Sequence, residues 1–499
     1  MSENNSLKEM IKFRMDKIKT LKEHGVELYP HKYKYSHKTI EIHNNQDTLL
    51  LEQAEDNSVS IAGRIISLRD MGKSTFLHIQ DDSGKIQIYL NNNNINSELE
   101  KIVCNNLDLG DIVGCSGEVF LTKTKELSVR AKNIMLLAKN IRPLPNLKEK
   151  DGEAFNAFTD KESRYRYRHL DLIANPSRKD IFKKRNDIIN HLRGYLNSND
   201  YLEVETPVLQ PLYGGATARP FKTFHNSLNR ELFLRIADEL YLKRLVIGGY
   251  EKVFEIAKDF RNEGVDKSHN PEFTMCEFYQ AYSDVYDMMN MTESLIKYIA
   301  EKIDINKITF NSHLINFNNE FKKVSFIDEL NNALGDDFLS LSKDELVKIS
   351  DKNNISLDDN LSYGKIIDKL FGELVEPKLI DPTFVLDYPK LISPLAKQKR
   401  DSSIEVVERF ELFIGGMEFA NSFSELNDPV EQRNRLEEII DSSSKIDKEI
   451  QVIDEDFIAA MEAGMPPMGG VGIGVDRLVM LFTGQESIRD VILFPVLRS

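Results

Sequence analysis

Two kinds of hydrophobic spacing divide the chain. A period near 3.6 residues marks helices, and strict alternation marks strands with one buried face. Leu7, Met10, Ile11, Met15, Ile18 and Leu21 fall at helical spacing, with Lys8, Lys12, Arg14, Lys17, Lys19 and Lys22 on the other faces. They predict a basic amphipathic helix over 6–24, packed on the next domain or turned to RNA. Residues 58–138 read as short strands between turn signals such as Asp70-Met71-Gly72-Lys73 and Asp82-Ser83-Gly84-Lys85. About five strands in roughly eighty residues suit a small closed barrel of the OB type. Residues 141–177 are rich in Pro, Gly and charge and read as a linker, with Arg164, Arg166 and Arg168 against RNA or acidic neighbours.

From residue 178 the two periods mix. Ile181, Phe182, Ile188, Ile189, Leu192, Tyr195 and Leu196 predict a helix, and YLEVETPVLQP a strand closed by Pro207. RIADELYLKRLVIGGYEKVFEI predicts strand, helix and strand, the helix starting near Asp238 and stopping at Gly248-Gly249. In 254–261, Phe254, Ile256 and Phe260 alternate with Glu255, Ala257, Asp259 and Arg261; beyond a polar loop, Phe273, Met275, Glu277 and Tyr279 share one parity. The loop holds Gly264 and the turn pair Asn270-Pro271. Residues 283–380 predict a mostly helical insertion, with a capping box at Ser342-x-x-Glu345. RFELFIGGMEFANSFSELND, 409–428, predicts a hairpin whose Gly415-Gly416 turn pairs Ile414 with Met417, Phe413 with Glu418 and Glu411 with Ala420. Gly469, Gly470, Gly472 and Gly474 precede a last apolar helix. The expected architecture is α+β and multidomain: a helical extension over 1–57, the barrel over 58–140, the linker, and a mixed unit over 178–499 with its insertion near 283–380.

Composition narrows the class. A chain of 499 residues exceeds one ordinary domain, and 41% hydrophobic with 29% charged residues fits a globular protein. No apolar run reaches the roughly 18 residues of a membrane span, and the first residues lack the apolar core of a secretory signal. The net charge of −15 argues against bulk nonspecific nucleic-acid binding. A weakly basic front of 150 residues ahead of an acidic body still allows selective RNA contact there. Cys104, Cys115 and Cys276 have no metal-ligand spacing and suit a reducing compartment such as the cytoplasm.

The candidate chemistry gathers at three places. Arg261, Glu263, His269, Phe273, Glu277 and Tyr279 can converge over one sheet face, which suits a polyanionic ligand with a flat aromatic base. An ordinary salt-bridged hairpin has the same parity. Glu411 and Glu418 fall diagonally on one face, roughly 7–8 Å apart at the backbone. Two acids so placed suit a hard cation such as Mg²⁺ or a solvent-facing pair. Asn421 and Glu425 have the other parity, and reach that pocket only through a bulge or a strand end near Ala420. The glycine run lacks the GK[ST] of a phosphate loop, but Arg477 at the helix start suits a terminal phosphate. On the barrel, Phe76 offers a stacking plane, while Arg69 and Gln87 suit the edges of unstacked bases.

Together these stretches resemble the class II aminoacyl-tRNA synthetase family. FRNEG…HNPEFTMCE resembles its motif 2, GVGIGVDRL its motif 3 and YLEVETPVLQP its motif 1. A barrel ahead of the catalytic unit is the order of the aspartyl, asparaginyl and lysyl subclass. RIADELYLKRLVIGG, GGATARPF and FANSFSELND resemble the lysyl branch. The resemblance runs from about residue 60 to the C-terminus. Without a long lysine-rich N-terminal extension, it is to the bacterial type.

The resemblance implies an antiparallel catalytic sheet flanked by helices, a homodimer through motif 1, and no membrane. It implies that L-lysine and ATP form lysyl-adenylate, and that lysine then passes to the 3′ end of tRNA(Lys), with release of AMP and pyrophosphate. It places Arg261 on the α-phosphate and lysine carboxylate, Glu263 and His269 on the nucleotide, Phe273 on adenine and Arg477 on the γ-phosphate. It places Mg²⁺ on Glu411 and Glu418. Gly215 and Glu239 take the lysine α-amino group, Asn421 supports the carboxylate, and Glu425 with Tyr279 receives the ε-ammonium. Arg69, Phe76, Gln87 and Glu126 match anticodon-reading positions, with Asp70 departing from the family pattern beside Arg69. A related synthetase for aspartate or asparagine, or a non-catalytic RNA-binding paralogue, are the alternatives. Glu425 with Tyr279 discriminates against the first, and the intact set Arg261, Glu411, Glu418 and Arg477 against the second.

Overall fold

The computed structural model describes residues 2–50, 57–72, 74–91, 95, 97–145, 147–150, 153–156, 158–357, 361–442 and 453–497. Contacts divide the chain into two compact units, Met1–Phe158 and Thr159–Ser499.

In the first unit, β1 (Ser58–Asp70), β2 (Ser74–Gln80), β3 (Lys85–Asn91), β4 (Ile112–Leu121) and β5 (Leu127–Ala138) close a barrel in the order β1-β2-β3-β5-β4. Closure removes the exposed edges that an open sheet presents. Alternation along the strands sends Val59, Ile61, Leu77, Ile79, Ile86, Ile88 and Val129 inward. Helix α1 (Ser2–Glu23) buries Ile18 and Leu21 in this same core, while Met10, Phe13 and Met15 stay exposed. Its Lys17 pairs with Asp108 at 2.7 Å, so the C-terminal half of the helix is packed on the barrel.

The second unit is built on eight strands: β6 (Leu202–Glu203), β7 (Lys252–Phe260), β8 (Glu272–Ala281), β9 (Lys322–Ser325), β10 (Thr383–Pro389), β11 (Val406–Ile414), β12 (Met417–Ser424) and β13 (Met468–Gly474). Their order is β9-β10-β11-β12-β13-β8-β7-β6. The sheet is antiparallel except at its edges, where β6 pairs with β7 and β9 with β10 in parallel. Helices α2 (Arg178–Ser198), α4 (Val285–Lys302) and α5 (Val475–Thr483) bury Ile188, Leu192, Leu295, Ile296, Leu478 and Phe482 in one core with Phe254, Phe278 and Phe410 of the sheet. Helix α3 (Glu239–Ile247) joins a smaller cluster through Leu242 and Val246.

Three expectations are corrected. Residues 161–166 and 168–174, read as linker, form short helices of the second unit. Arg164 and Arg168 face an acid there: both pair with Asp171, at 3.0 and 2.8 Å, and Arg168 also donates to the carbonyls of Arg489, Ile492 and Leu493. The stretch 283–380 is not only helical. It contains the hairpin Lys307–Phe310/His313–Asn316 and the edge strand β9. Those strands have four residues each, too few to display a period.

The third correction is of register. Ile414 lies opposite Met417 and Phe413 opposite Glu418, but Leu412 faces Ala420 and Glu411 faces Asn421. Phe419 is the extra residue of a bulge. Its ring is buried against Phe310 at 6.1 Å, and this core contact holds the irregularity in place.

The three cysteines are free. Burial pushes the Cys104 thiol up to about 12, and raises those of Cys115 and Cys276 as well.

Candidate active site

A cavity of about 510 Å³ opens over the face of β8, β11, β12 and β13, and Arg261, just after β7, joins its lining. Arg261, Glu263, His269, Phe273, Glu277 and Tyr279 all line it, as their shared parity predicts, together with Gly215, Glu239, Glu411, Glu418, Asn421 and Arg477. Glu425 lies beneath the lining, fully buried behind Gly470. The bulge at Phe419 brings Asn421 onto the face of Glu411.

One end is built for anions. Phe273 lies opposite Asp259 in the β7–β8 ladder, and the Arg261 guanidinium sits 5.1 Å from the Phe273 ring centre. In the connecting loop, the Asp266 carboxylate accepts from the backbone N–H groups of Ser268 and His269, both at 2.7 Å, and lies 2.9 Å from His269 Nδ1. Burial acts to raise Asp266, but these hydrogen bonds outweigh it and hold the carboxyl down at about 2. The loop is thereby closed on itself, with the exposed Glu263 and His269 at the cavity mouth. Across the cavity, Arg477 in the first turn of α5 donates to the Glu418 carbonyl at 2.8 Å and meets its carboxylate at 3.1 Å. Asp476 beside it is buried and accepts from Thr274 N–H and from Arg185, both at 2.6 Å, which fixes the start of α5 against β8.

A second group is acidic. Glu411 accepts from the Tyr388 hydroxyl at 2.8 Å and pairs with Arg409, whose Nε donates to Asn421 Oδ1 at 3.2 Å. Burial pushes the Glu411 carboxyl up to about 7, with Arg409 opposing and Glu418 reinforcing the rise. Glu376 also lines the cavity and is pushed up to about 8, first by burial and then by Glu411, Glu418 and Asp368. Crowded carboxyls of this kind fit a hard divalent cation, which would relieve their mutual repulsion.

The far end is deeper. Tyr279 donates to Glu277 Oε2 at 3.0 Å, and burial, then Asp238 and Asp259, raises Glu277 well above the ordinary carboxylate range. The carboxylates of Asp238, Asp259 and Glu277 converge within 4.8 Å of one another. Arg235 lies 3.3 Å from Asp259 and 2.8 Å from Glu255. The glycines of β13 make the depth possible. A Cβ at Gly470 would land in the Tyr279 ring and on Glu425 Oε1, and one at Gly472 would lie 3.3 Å from Met275 Cε. Gly215 has φ +83°, a conformation side chains rarely adopt, and its missing Cβ leaves room for Glu239.

On the barrel, Arg69 lies opposite Phe76, Phe76 opposite Tyr89 and His78 opposite Gln87, so these side chains share the outer face of β1, β2 and β3. The Phe76 and Tyr89 ring centres are 5.0 Å apart. Glu126 pairs with His78 at 2.8 Å, and Gln87 is buried, accepting from Ser128 at 3.0 Å. Gln87 is therefore less open to a base edge than Arg69 or Phe76.

Sequence reading missed Lys243, Arg409, Tyr388, Glu376, Asp238 and Asp476. Two carried a signal. Lys243 falls four residues after Glu239 on one helix face, and Arg409 shares strand parity with Glu411. Asp238 and Asp476 stand next to the named Glu239 and Arg477, but no period marks them as buried, and Tyr388 and Glu376 come from segments distant in the chain.

Residues 160–498 match the family tRNA synthetases class II (D, K and N), and residues 59–137 match the OB-fold nucleic acid binding domain. The chain belongs to the class II tRNA synthetases of that D, K and N group. Within it, the chain is 46% identical over 498 residues to a lysine–tRNA ligase of Carboxydothermus hydrogenoformans, covering 99% of both chains. It is 47% identical to one of Pelotomaculum thermopropionicum, over 99% of this chain and 95% of the relative. It is 46% identical to one of Porphyromonas gingivalis, over 97% and 85%.

Proposed function

We propose that the protein ligates L-lysine to the 3′ end of tRNA(Lys) at the expense of ATP. Relatives of that activity align over nearly the whole chain. The observation that carries the lysine reading is the acidic far end of the cavity, where Glu239 lines the wall and Glu425 lies behind Gly470. Two carboxylates share one internal ammonium there, that of Lys243, so the end is net acidic and suits a substrate ammonium, whereas an aspartate or asparagine side chain would need a net cationic end or amide donors.

In the first step a lysine carboxylate oxygen attacks the α-phosphorus, and the bond to the pyrophosphate leaving group breaks. Arg261 holds the α-phosphate and the carboxylate together, and its charge answers the charge that develops at phosphorus. Phe273 stacks on adenine, Glu263 and His269 contact the nucleotide, and Arg477 takes the γ-phosphate. Glu411 and Glu418 would hold Mg²⁺, which would supply neutralisation of the phosphate charge. Gly215 and Glu239 take the α-amino group, Asn421 supports the carboxylate, and Tyr279 with Glu425 receives the ε-ammonium. In the second step the terminal ribose hydroxyl attacks the lysyl carbonyl and AMP departs. Arg69, Phe76, Gln87 and Glu126 read the anticodon.

The working unit is a homodimer through the stretch after α2, where Val208, Leu209 and Leu212 expose apolar side chains. Among the described residues no helix is long and apolar enough to cross a membrane. The substrates and free thiols suit the cytoplasm.

ATP–pyrophosphate exchange across the amino acids tests the reading. Exchange with lysine is expected, and exchange with aspartate or asparagine in its place would overturn it. Arg261→Ala is expected to lower lysine-dependent exchange by about 10²–10³-fold while tRNA retention on filters persists.

A further inference from the structure

Lys243 projects from α3 into the interior and is 1% exposed. Lysine is almost never so buried without partners. Its Nζ meets Glu239 Oε1 and lies 2.5 Å from Glu425 Oε2. The ring centres of Tyr279 and Phe423 each lie 5.9 Å away. Each carboxylate thus gives one oxygen to this internal ammonium. Their second oxygens turn the other way. Glu425 Oε1 lies against Gly470, and Glu239 Oε2 is 3.7 Å from where a Gly215 Cβ would stand. Both glycines line the cavity. One ammonium for two carboxylates leaves negative charge to be answered from the cavity side.

We propose that Lys243 is a specificity-determining positioning residue: from behind the pocket it clamps Glu239 and Glu425 with their free oxygens presented to the two ammonium groups of a bound diamino acid. The proposal rests on the lysine reading above and names a residue that reading does not use. The charged and titratable groups that act on Glu425 are Lys243 and Glu239 on α3 and Tyr279 on β8, with Asp238 and Glu277 acting in turn on Tyr279. All but Lys243 are acids, so Lys243 is the one group of this set that favours an ionised Glu425. In its absence burial and the neighbouring acids would hold Glu425 protonated at pH values above 8, where the ion pair with Lys243 leaves it ionised, and a neutral carboxyl pairs poorly with ammonium.

The test compares the unaltered chain with K243M and K243R in lysine-dependent ATP–pyrophosphate exchange over pH. For K243M the lysine KM is expected to rise on the order of 30-fold or more at a pH just above 8, where Glu425 beside Lys243 is ionised, with the ATP KM unchanged and partial recovery at higher pH. K243R, which keeps the charge, is expected to recover part of the affinity. A lysine KM and pH profile in K243M equal to those of the unaltered chain would overturn the clamp. If K243M does not fold, K243M/E239Q against E239Q alone reads the same shift with one buried acid fewer. A second readout needs no lysine. Infrared difference spectra of K243M against the unaltered chain, taken at a pH just above 8, are expected to show a new protonated-carboxyl band that E425Q removes. No exchange with lysine in the unaltered chain would defeat the lysine reading, and the presence or absence of that band would still decide the clamp.

Discussion

Glu411 and Asn421 stand opposite each other across the β11–β12 ladder, and Arg409 ties them together from the same strand as Glu411. One guanidinium therefore orients a carboxylate proposed to hold Mg²⁺ and an amide proposed to support the substrate carboxylate. Arg409→Met is expected to lower kcat/KM for lysine in exchange by about 10²-fold, the scale of removing one partner of a buried, hydrogen-bonded charge pair. Arg409→Lys is expected to restore little, because an ammonium cannot reproduce the guanidinium fork. Wild-type rates in Arg409→Met would remove Arg409 from this role.

Lysine affinity depends on pH with a definite sign. Burial drives the Glu425 carboxyl up to about 8, with Lys243 pulling against it. An acid raised in the fold is protonated below that value and ionised above it. Lysine binding is therefore expected to strengthen as pH rises through about 8, then level off until the substrate ammonium itself titrates near about 10.4. Calorimetric titrations with lysine across this range check the direction. Affinity that falls over the same interval would contradict it.

Gly470 and Gly194 make a matched pair for mutation. Gly470→Ala places a methyl in the Tyr279 ring and on Glu425, so lysine exchange is expected to fall by about 10²-fold or more. The overpacking is expected to cost about 1–3 kcal/mol in denaturant unfolding. Gly194 lies in α2 with nothing within 4 Å of its added Cβ. Gly194→Ala is expected to gain about 0.4–1 kcal/mol and leave exchange unchanged.

The barrel can be tested apart from the chemistry. Phe76→Ala removes the stacking plane opposite Arg69, and tRNA(Lys) affinity is expected to weaken about 5–150-fold, equivalent to about 1–3 kcal/mol per stacked base. Lysine-dependent ATP–pyrophosphate exchange, which needs no tRNA, is expected to persist. An equal loss of both would point to a folding defect.

The parts of the site that follow a local period were legible in the sequence. Parity along 254–281 brought Arg261, Phe273, Glu277 and Tyr279 to one face, and the two-residue turn gave the first rungs of the 409–424 hairpin. Parity failed at Phe419, because a bulge is fixed by what its side chain packs against, here Phe310 from more than a hundred residues away. It also gave no sign of the acid cluster of Asp238, Asp259 and Glu277, which unites a helix start with two strands. In 159–177, charge suggested a solvated linker, and the burial of Arg168 depends on carbonyls near the C-terminus.

The three cysteines, two buried and Cys104 half-buried, have a practical consequence. Thiolates, not thiols, react with maleimides and oxidants, and all three thiols here are held above their ordinary range by burial. The native chain is therefore close to silent toward alkylating probes while folded. One cysteine introduced at an exposed position such as Tyr282, itself 73% exposed, would accept a fluorophore or spin label without removal of any native thiol.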